Sequence, residues 1–163
     1  MAQDRTIAHS VTIKAPVDTV FDALSTPEGI SRWFTTSAIS EAHTGGRFRY
    51  VFDNEKPELS SVQEGQYIEV VPGRKVVHPW RFPGLDQATT VEYVLTSRGD
   101  ETEVQFRNTG FGTGPEWDGP YQRFTGGWKL FLDNLKSVLE GGPDQKGTLF
   151  GIKTAAPDSG NRP

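Results

Sequence analysis

Histidine and cysteine are the side chains that most often serve as nucleophiles, general bases or metal ligands, and this 163-residue sequence has three histidines and no cysteine. None of His9, His43 and His78 has metal-ligand spacing with a second histidine or with an acid. The glycine-rich segment Gly110–Gly114 lacks the strand-to-helix context of a phosphate-binding loop, and no nucleophile elbow or dinucleotide fingerprint occurs. We therefore expect no catalytic residue, no metal site and no cofactor.

His78 is the polar residue with the most informative position. It lies in the apolar register of its strand, beside Trp80, so its side chain should face the interior. It is either a core histidine, hydrogen-bonded to a backbone carbonyl or to Tyr50 or Tyr93, or a polar anchor that orients a ligand in a mostly apolar pocket. Asn108, at a strand end in the same layer, is either a second anchor or a residue that hydrogen-bonds only within the strand end.

Aromatic side chains are frequent, with 10 Phe, 4 Trp and 4 Tyr. In strands with a period of two, alternate rings point to the same face. The last helix opposes that face, and its pair Gly126–Gly127 removes side-chain volume beside Trp128. The rings either fill an ordinary core or line a cavity, and the glycines either leave space or permit close contact with the sheet. The inward-facing rings are expected to be Phe48, Tyr50, Trp80, Phe82, Tyr93 and Phe106 from the strands, and Trp33, Phe124 and Trp128 from helices.

The hydrophobic periodicity also gives the order of the elements that would hold these side chains. A strand over Thr6–Lys14 is followed by two short helices, one beginning at Pro16 and one after Thr26-Pro27. Further strands are expected near residues 48–52, 62–71, 76–82, 91–95 and 104–108, and a long helix from about Pro120 to Leu139. A run of strands followed by one long helix predicts an α+β fold with an antiparallel sheet.

Several segments, in this order, resemble the START-like (SRPBCC) superfamily, specifically the type named after the heat-shock-protein ATPase activator (AHSA). They are Ala15–Val17, Thr26–Ile30, Trp33-Phe34, Gly45–Phe48, Val76–Phe82, Asn108–Phe111 and Gly127-Trp128. The resemblance implies a helix-grip fold, in which a curved antiparallel sheet of about six strands wraps around the long C-terminal helix and encloses an apolar cavity. Two positions depart from the family pattern, because Asn108 stands where a histidine is common and Pro79 where a threonine is common.

Charge and composition exclude several classes of partner. The net charge of −4 argues against nucleic acid and anionic membrane surfaces. No apolar run approaches the roughly 20 residues of a membrane span, and the N-terminus lacks the pattern of a secretory signal. We expect a cytoplasmic monomer that contacts no nucleic acid and inserts in no membrane. Residues 1–141 should form one START-like domain, and residues 142–163, rich in Gly and Pro without periodicity, a disordered tail.

Three functions follow from the residues and the resemblance. The first is binding of a small hydrophobic or aromatic molecule, such as a lipid or a polyketide, between the sheet and the last helix. The second is an aromatase/cyclase-type reaction in the same cavity, which would need His78 paired with Tyr93 or Asn108. The third is contact with a chaperone as part of a stress response. The expected ligand-binding residues are Trp33, Phe48, Tyr50, His78, Trp80, Tyr93, Phe106, Asn108, Phe124 and Trp128.

Overall fold

Eight strands in two antiparallel sheets, together with one long helix, make up most of the described chain, residues 5–154 of a computed structural model. The larger sheet has the order β1-β8-β7-β6-β5 and the smaller one the order β2-β3-β4. The strands are β1 (Arg5–Ile13), β2 (Ser37–Ser40), β3 (Arg47–Phe52), β4 (Ser61–Gln66), β5 (Glu69–Val71), β6 (Lys75–Trp80), β7 (Thr89–Arg98) and β8 (Glu101–Phe111). The helices are α1 (Val17–Ser25), α2 (Pro27–Trp33), α3 (Asp118–Leu139) and α4 (Lys146–Phe150), with 3-10 turns at Pro57–Leu59 and Pro115–Trp117.

The two short helices form where the capping residues predict them. Pro16 has an extended backbone and precedes the first residue of α1. The Thr26 hydroxyl accepts a hydrogen bond from the Gly29 amide at 2.9 Å, which satisfies one free N–H at the start of α2. The indole N–H of Trp33 donates to the Ala23 carbonyl at 2.7 Å and joins α2 to α1. The pair therefore presents one joint apolar surface to the core.

The extended segment predicted over residues 62–71 changes sheet in its middle. Its first part, β4, pairs with β3, and its last part, β5, pairs with β6. The change takes place at Tyr67 and Ile68, whose amides donate to Gly46 and Val77 on the two different sheets. The fold therefore has eight strands in two sheets instead of about six in one.

The long helix α3 lies where the sequence predicts it and packs against β1 and α2. Its buried face consists of Trp128, Phe131, Leu132, Asn134, Leu135 and Val138. The larger sheet turns its own buried side chains toward this helix. The predicted α+β helix-grip architecture is confirmed. None of the helices in the described part of the chain is both long enough and apolar enough to cross a membrane.

Residues 142–154 differ from the disordered tail that the composition predicts. They form α4 and a single bridge between Ile152 and Asn54, and Lys146 and Ile152 are buried. Long-range contacts hold this segment, and a local composition contains no information about them. The last part of the predicted tail, residues 155–163, lies outside the described residues.

Gly126 and Gly127 neither approach the sheet closely nor line the interior. A methyl group added at either position would meet no atom within 4 Å. Close packing therefore does not require either glycine, although each lowers the stability of a helix interior.

We expect Gly126→Ala and Gly127→Ala each to raise the free energy of unfolding by about 1 kcal/mol, because alanine loses less backbone entropy in a helix. Urea denaturation of the two variants measures this. Gly29→Ala is the matched control within another helix: its methyl group would lie 2.3 Å from the Asp22 carbonyl oxygen, so this variant should be less stable than the wild type. If Gly126→Ala were less stable than the wild type, the prediction would be wrong, because some contact would then require a glycine at this position.

Candidate ligand-binding site

The ten residues expected to bind ligand lie in the interior between the sheets and α3. Nine of them are buried, and Phe124 is partly buried. Their rings form a continuous series of aromatic contacts, for example Trp80 to Trp128 at 4.9 Å and Phe106 to Trp128 at 4.8 Å between centroids. Core packing and a ligand pocket both require burial, so the geometry of the polar groups and of the empty space has to distinguish them.

His78 sits among aromatic rings on the inner face of β6. Its Nδ1–H donates to the carbonyl of Pro79 at 2.9 Å, and its ring centroid lies 5.2 Å from that of Phe48 and 5.5 Å from that of Tyr50. Burial lowers the pKa of His78 to about 4, because no solvent compensates a charged imidazole, and the hydrogen bond to Pro79 offsets this only in part. The side chain is therefore neutral at pH 7.

A short chain of hydroxyl groups runs inward from Ser25. Ser40 donates its only hydroxyl proton to the Ser25 carbonyl at 2.6 Å, so it accepts from Tyr67, 2.6 Å away. Tyr67 in turn accepts from Tyr50 at 2.8 Å. Burial raises the pKa of Tyr50 and of Tyr67, and it raises that of Tyr93 as well, so all three phenols stay neutral. Because the Tyr50 proton points to Tyr67, the Tyr50 oxygen keeps the capacity to accept a hydrogen bond.

Tyr67 and Ser40 are polar site residues that the sequence did not single out. Tyr67 stands at the point where the predicted 62–71 strand changes sheet, so its inward direction does not follow from the alternation. Ser40 lies on the short strand β2, which carries no apolar alternation of its own. No pattern in the sequence marks either residue.

The side-chain amide of Asn108 makes three hydrogen bonds inside the protein. Its nitrogen donates to the Thr89 hydroxyl and to the Thr90 carbonyl, both at 3.0 Å, and its oxygen accepts from the indole N–H of Trp128 at 3.1 Å. These bonds join β7, β8 and α3. Asn108 therefore has a structural role, and neither of its N–H groups is free to donate to a ligand.

Aromatic rings fill most of the space where the cavity was expected. The internal void that remains lies between the two short helices and the sheets, measures about 10 Å³ and is lined by Leu24, Ile30, Trp33, Phe34, Tyr50, His78 and Tyr93. A volume of this size holds about one water molecule. The polar groups His78, Tyr50 and Tyr93 thus share one small space, but a large internal cavity is not confirmed among residues 5–154.

A wider apolar cleft of about 170 Å³ opens on the outer side of the same rings. It lies between the smaller sheet, β6, α3 and the C-terminal segment. Its walls are Phe52, Asn54, Leu59, Ser61, Trp80, Phe124, Phe131, Phe150 and Ile152. We call this space the cleft.

Phe34 separates the cleft from the inner void. Its ring lines the void and also packs against three rings that line the cleft, Phe52 at 5.0 Å, Trp80 at 5.9 Å and Phe131 at 4.9 Å. The Phe34 ring therefore stands between the two spaces. The sequence places Phe34 at helical spacing in α2, but gives no sign of this position between two spaces.

The indole N–H of Trp80 is a buried donor without a hydrogen-bond partner among the described residues. Leaving a buried donor unpaired costs about 1–3 kcal/mol. Trp80 also lines the cleft, so this buried donor belongs to a residue of the cleft wall.

Elsewhere on the described surface, three larger depressions measure about 440 to 530 Å³. Ion pairs such as Arg49–Glu64, at 3.5 Å, and Lys75–Glu69, at 3.0 Å, line two of them, so their charges are already matched. In residues 5–154, no group of three or more histidine, aspartate or glutamate side chains is placed to hold a metal ion. The cleft and the inner void are therefore the candidate site.

Several solved structures have this architecture. The chain is 22% identical to protein MLL2253 from Mesorhizobium loti, with a TM-score of 0.70 over 83% of this chain and 97% of that one. It is 22% identical to the Aha1 of Colwellia psychrerythraea, whose structure is a dimer, with a TM-score of 0.66 over 84% and 97%. DynU16, a protein in the dynemicin biosynthetic locus, is 22% identical with a TM-score of 0.71, and the match spans 85% of this chain but about half (48%) of DynU16.

At these identities the structural likeness shows the fold alone. No curated protein sequence matches the chain. Residues 14–140, however, match the family model described as "Activator of Hsp90 ATPase homolog 1-like protein". Because that match covers most of the sequence and the fold agrees with it, the chain belongs to the Activator of Hsp90 ATPase homolog 1-like family.

Proposed function

We propose that the protein binds a small apolar or aromatic molecule in the cleft between the smaller sheet and α3. The observation that carries the proposal is a mostly apolar cleft with one wall residue, Trp80, whose indole N–H has no hydrogen-bond partner among the described residues. Sites for small molecules combine an apolar lining with a few polar groups that fix orientation. In this cleft an acceptor atom of the ligand would take the Trp80 hydrogen bond while its rings contact Phe124 and Phe131.

If Phe34 rotates, the inner void becomes part of the binding site and adds polar side chains to it. His78, Tyr50 and Tyr93 are neutral there, so they discriminate by hydrogen bonding and not by charge. A ligand that spans both spaces would therefore be neutral and mostly apolar, with polar atoms at its inner end. The presence of DynU16 in a biosynthetic locus is in keeping with an organic small molecule as ligand.

Catalysis in the same space has less support. A cyclase-type reaction would pair His78 with Tyr93 or Asn108, but both N–H groups of the Asn108 amide already donate within the protein. With a pKa of about 4, His78 is a weak general base at neutral pH. Binding therefore stands ahead of catalysis, and ahead of a chaperone contact, for which the described surface offers no specific feature.

Titration with the neutral aromatic dye N-phenyl-1-naphthylamine tests the proposal. We expect saturable fluorescence enhancement, with the indole N–H resonance of Trp80 shifted in heteronuclear NMR spectra. Leu59→Arg puts a charge at the rim of the cleft and should weaken binding about tenfold, because the apolar dye would displace water from that charge. Leu59 is 57% exposed, so its replacement should leave the fold intact.

Leu130→Arg is the matched control, because Leu130 is 40% exposed on α3 and does not line the cleft. It should bind the dye like the wild type. Equal affinities in all three proteins, or NMR shifts confined to residues far from Trp80, would show that the cleft is not the binding site.

A further inference from the structure

We infer that residues 143–153 form a strap that closes the cleft and opens locally, and that Phe150 on this strap occupies the place of a planar aromatic group of the ligand. The inference rests on the proposed function for its ligand, and on contacts of the strap itself for its opening. The family match ends at residue 140, so the strap lies beyond the segment that this match covers.

The ring of Phe150 packs on a wall of the cleft as an aromatic ligand would. It stacks on Phe131 with the centroids 4.1 Å apart and the planes 16° from parallel, the closest ring pair among the described residues. Phe150 and Ile152 form one wall of the cleft, and the rest of the wall belongs to the helix-grip body. Removing the strap would therefore expose the face of Phe131 and enlarge the cleft.

A polar cluster fixes the first half of the strap. Lys146 is 0% exposed and its ammonium group is paired with the carboxylate of Asp144. The other oxygen of Asp144 accepts from Asn134 on α3 at 2.9 Å, and Asn134 also accepts from the Gln145 amide at 2.7 Å. These hydrogen bonds and this ion pair tie the strap to α3. We infer that they break together when Asp144 moves away from α3.

Backbone hydrogen bonds fix the other end. The Lys153 amide donates to the Asp53 carbonyl at 2.7 Å, and the Glu55 amide donates to the Gly151 carbonyl at 2.8 Å. The Asn54 side chain donates to the Phe150 carbonyl at 2.9 Å. The strap thus lies along the chain that leaves β3, fixed at both ends, with the Phe150 ring between them.

The strap is the part of the fold best suited to open by itself. Gly141, just before the strap, and Gly151, near its end, have φ values of +86° and +74°, which a glycine adopts without strain. The strap buries only one apolar side chain deeply, that of Ile152, and Leu149 is 39% exposed. Segments with few buried apolar contacts open at a smaller free-energy cost than the core does.

When the strap opens, the Phe150 ring leaves the cleft and a ligand can take its place. Because Phe150 already covers Phe131, a ligand ring must displace it, and the closed fraction of the protein does not bind at full affinity. The ligand class that this geometry favours is a molecule with a planar aromatic ring for Phe131 and a hydrogen-bond acceptor for Trp80.

Amide hydrogen exchange of the full chain tests the opening without any ligand. We expect the amides of Glu55 and Lys153 to exchange faster, by a factor of about 100 or more, than that of Leu135 within α3. Lys146→Met keeps the apolar stem but removes the ammonium group, so it should speed exchange at Glu55 and Lys153 and leave Leu135 unchanged. Exchange of all three amides at one common rate would overturn the inference, because the strap would then open only with global unfolding.

Dye titration of two further variants tests the position of Phe150. Phe150→Ala should bind N-phenyl-1-naphthylamine about tenfold more tightly than the wild type, since no ring has to be displaced. Leu149→Ala, an exposed neighbour on the strap, should bind like the wild type. Unchanged or weaker binding by Phe150→Ala would overturn the inference. If no variant bound the dye while Glu55 and Lys153 exchanged by local opening, the binding function would fail and the opening strap would stand.

Discussion

Replacing Trp128 by alanine should lower the free energy of unfolding by about 3–5 kcal/mol, the range usual for a large aromatic residue removed from a core. Trp128 is 0% exposed, and its ring packs against Phe106 at 4.8 Å, Trp80 at 4.9 Å and Phe34 at 5.9 Å. These three rings come from β8, β6 and the residue after α2, so the neighbours cannot move together to fill the space. Urea denaturation followed by circular dichroism measures the change.

Trp128→Phe separates ring packing from the hydrogen bond. Phenylalanine keeps an aromatic ring at this position but cannot donate to the Asn108 oxygen, now 3.1 Å from the indole nitrogen. A buried acceptor left without its partner costs about 1–3 kcal/mol, so this variant should lie between the wild type and Trp128→Ala. If the two variants were equally unstable, the hydrogen bond to Asn108, and not the packing, would dominate.

Trp128→Ala also reports on the interior as a binding space. The deletion leaves a cavity between the sheet and α3, and an apolar cavity of this kind accepts aromatic molecules. Added indole should therefore raise the melting temperature of Trp128→Ala by more than that of the wild type, because a ligand that binds only the folded state stabilises it. Equal effects on both proteins would mean that indole binds elsewhere.

The fold was predictable from the sequence because its signals are local. Alternation marks residues 91–95 and 104–108, and these lie within the long β7–β8 hairpin. The hydroxyl of Thr26 and the following Pro27 fix the start of α2. The resemblance to the AHSA type is confirmed by the family match over residues 14–140.

The errors of the fold prediction have a common physical origin. The predicted strand over residues 62–71 keeps an extended backbone throughout, but its hydrogen-bond partner changes from β3 to β6. The segment after residue 141 is held by the pairing of Lys146 with Asp144 and by Asn134 on α3, which lies 10 residues before Asp144. In each case the structure depends on a contact with another part of the chain, and the local hydrophobic periodicity cannot predict such a contact.

The candidate site could be predicted only as a set of side chains facing inward. Alternation gives the direction of Tyr50, His78 and Tyr93, but the volume left between them depends on how far Trp33 and Phe34 reach from the opposite side. That volume is about 10 Å³, so the expected cavity is replaced by a small void and an outer cleft. The roles of the ten residues in ligand binding remain predictions.

The interior histidine should make stability depend on pH. The pKa of His78 is about 4 in the folded protein and near 6.5 in the unfolded chain, so between these values the unfolded state binds a proton that the folded state does not. The free energy of unfolding should therefore fall by about 3 kcal/mol as the pH is lowered from 7 to 4, and the loss should level off below pH 4. Chemical denaturation at a series of pH values measures the slope.

His78→Asn is the reference variant, because an amide nitrogen can donate to the Pro79 carbonyl as the imidazole does, and an amide does not titrate. Other groups contribute to acid sensitivity in both proteins. Burial raises the pKa of Asp144, but hydrogen bonds from Lys146 and Asn134 outweigh this and leave it below its ordinary value, while a hydrogen bond from Lys136 lowers the pKa of Glu140. The stability that these carboxylates add is present above their ordinary pKa values and is lost as the pH falls through their folded values, so it cancels in the difference between the two proteins.

The difference curve thus isolates His78. Wild type should lose about 3 kcal/mol relative to His78→Asn between pH 7 and 4, most steeply near pH 5, at about 1.4 kcal/mol per pH unit. Two parallel curves would mean that the folded protein accepts the proton at little cost, through water or a rearrangement around Tyr50 and Tyr93. Such an interior would be far more polar than the packed rings imply, and it would favour a charged or strongly polar ligand over the neutral aromatic one proposed for the cleft.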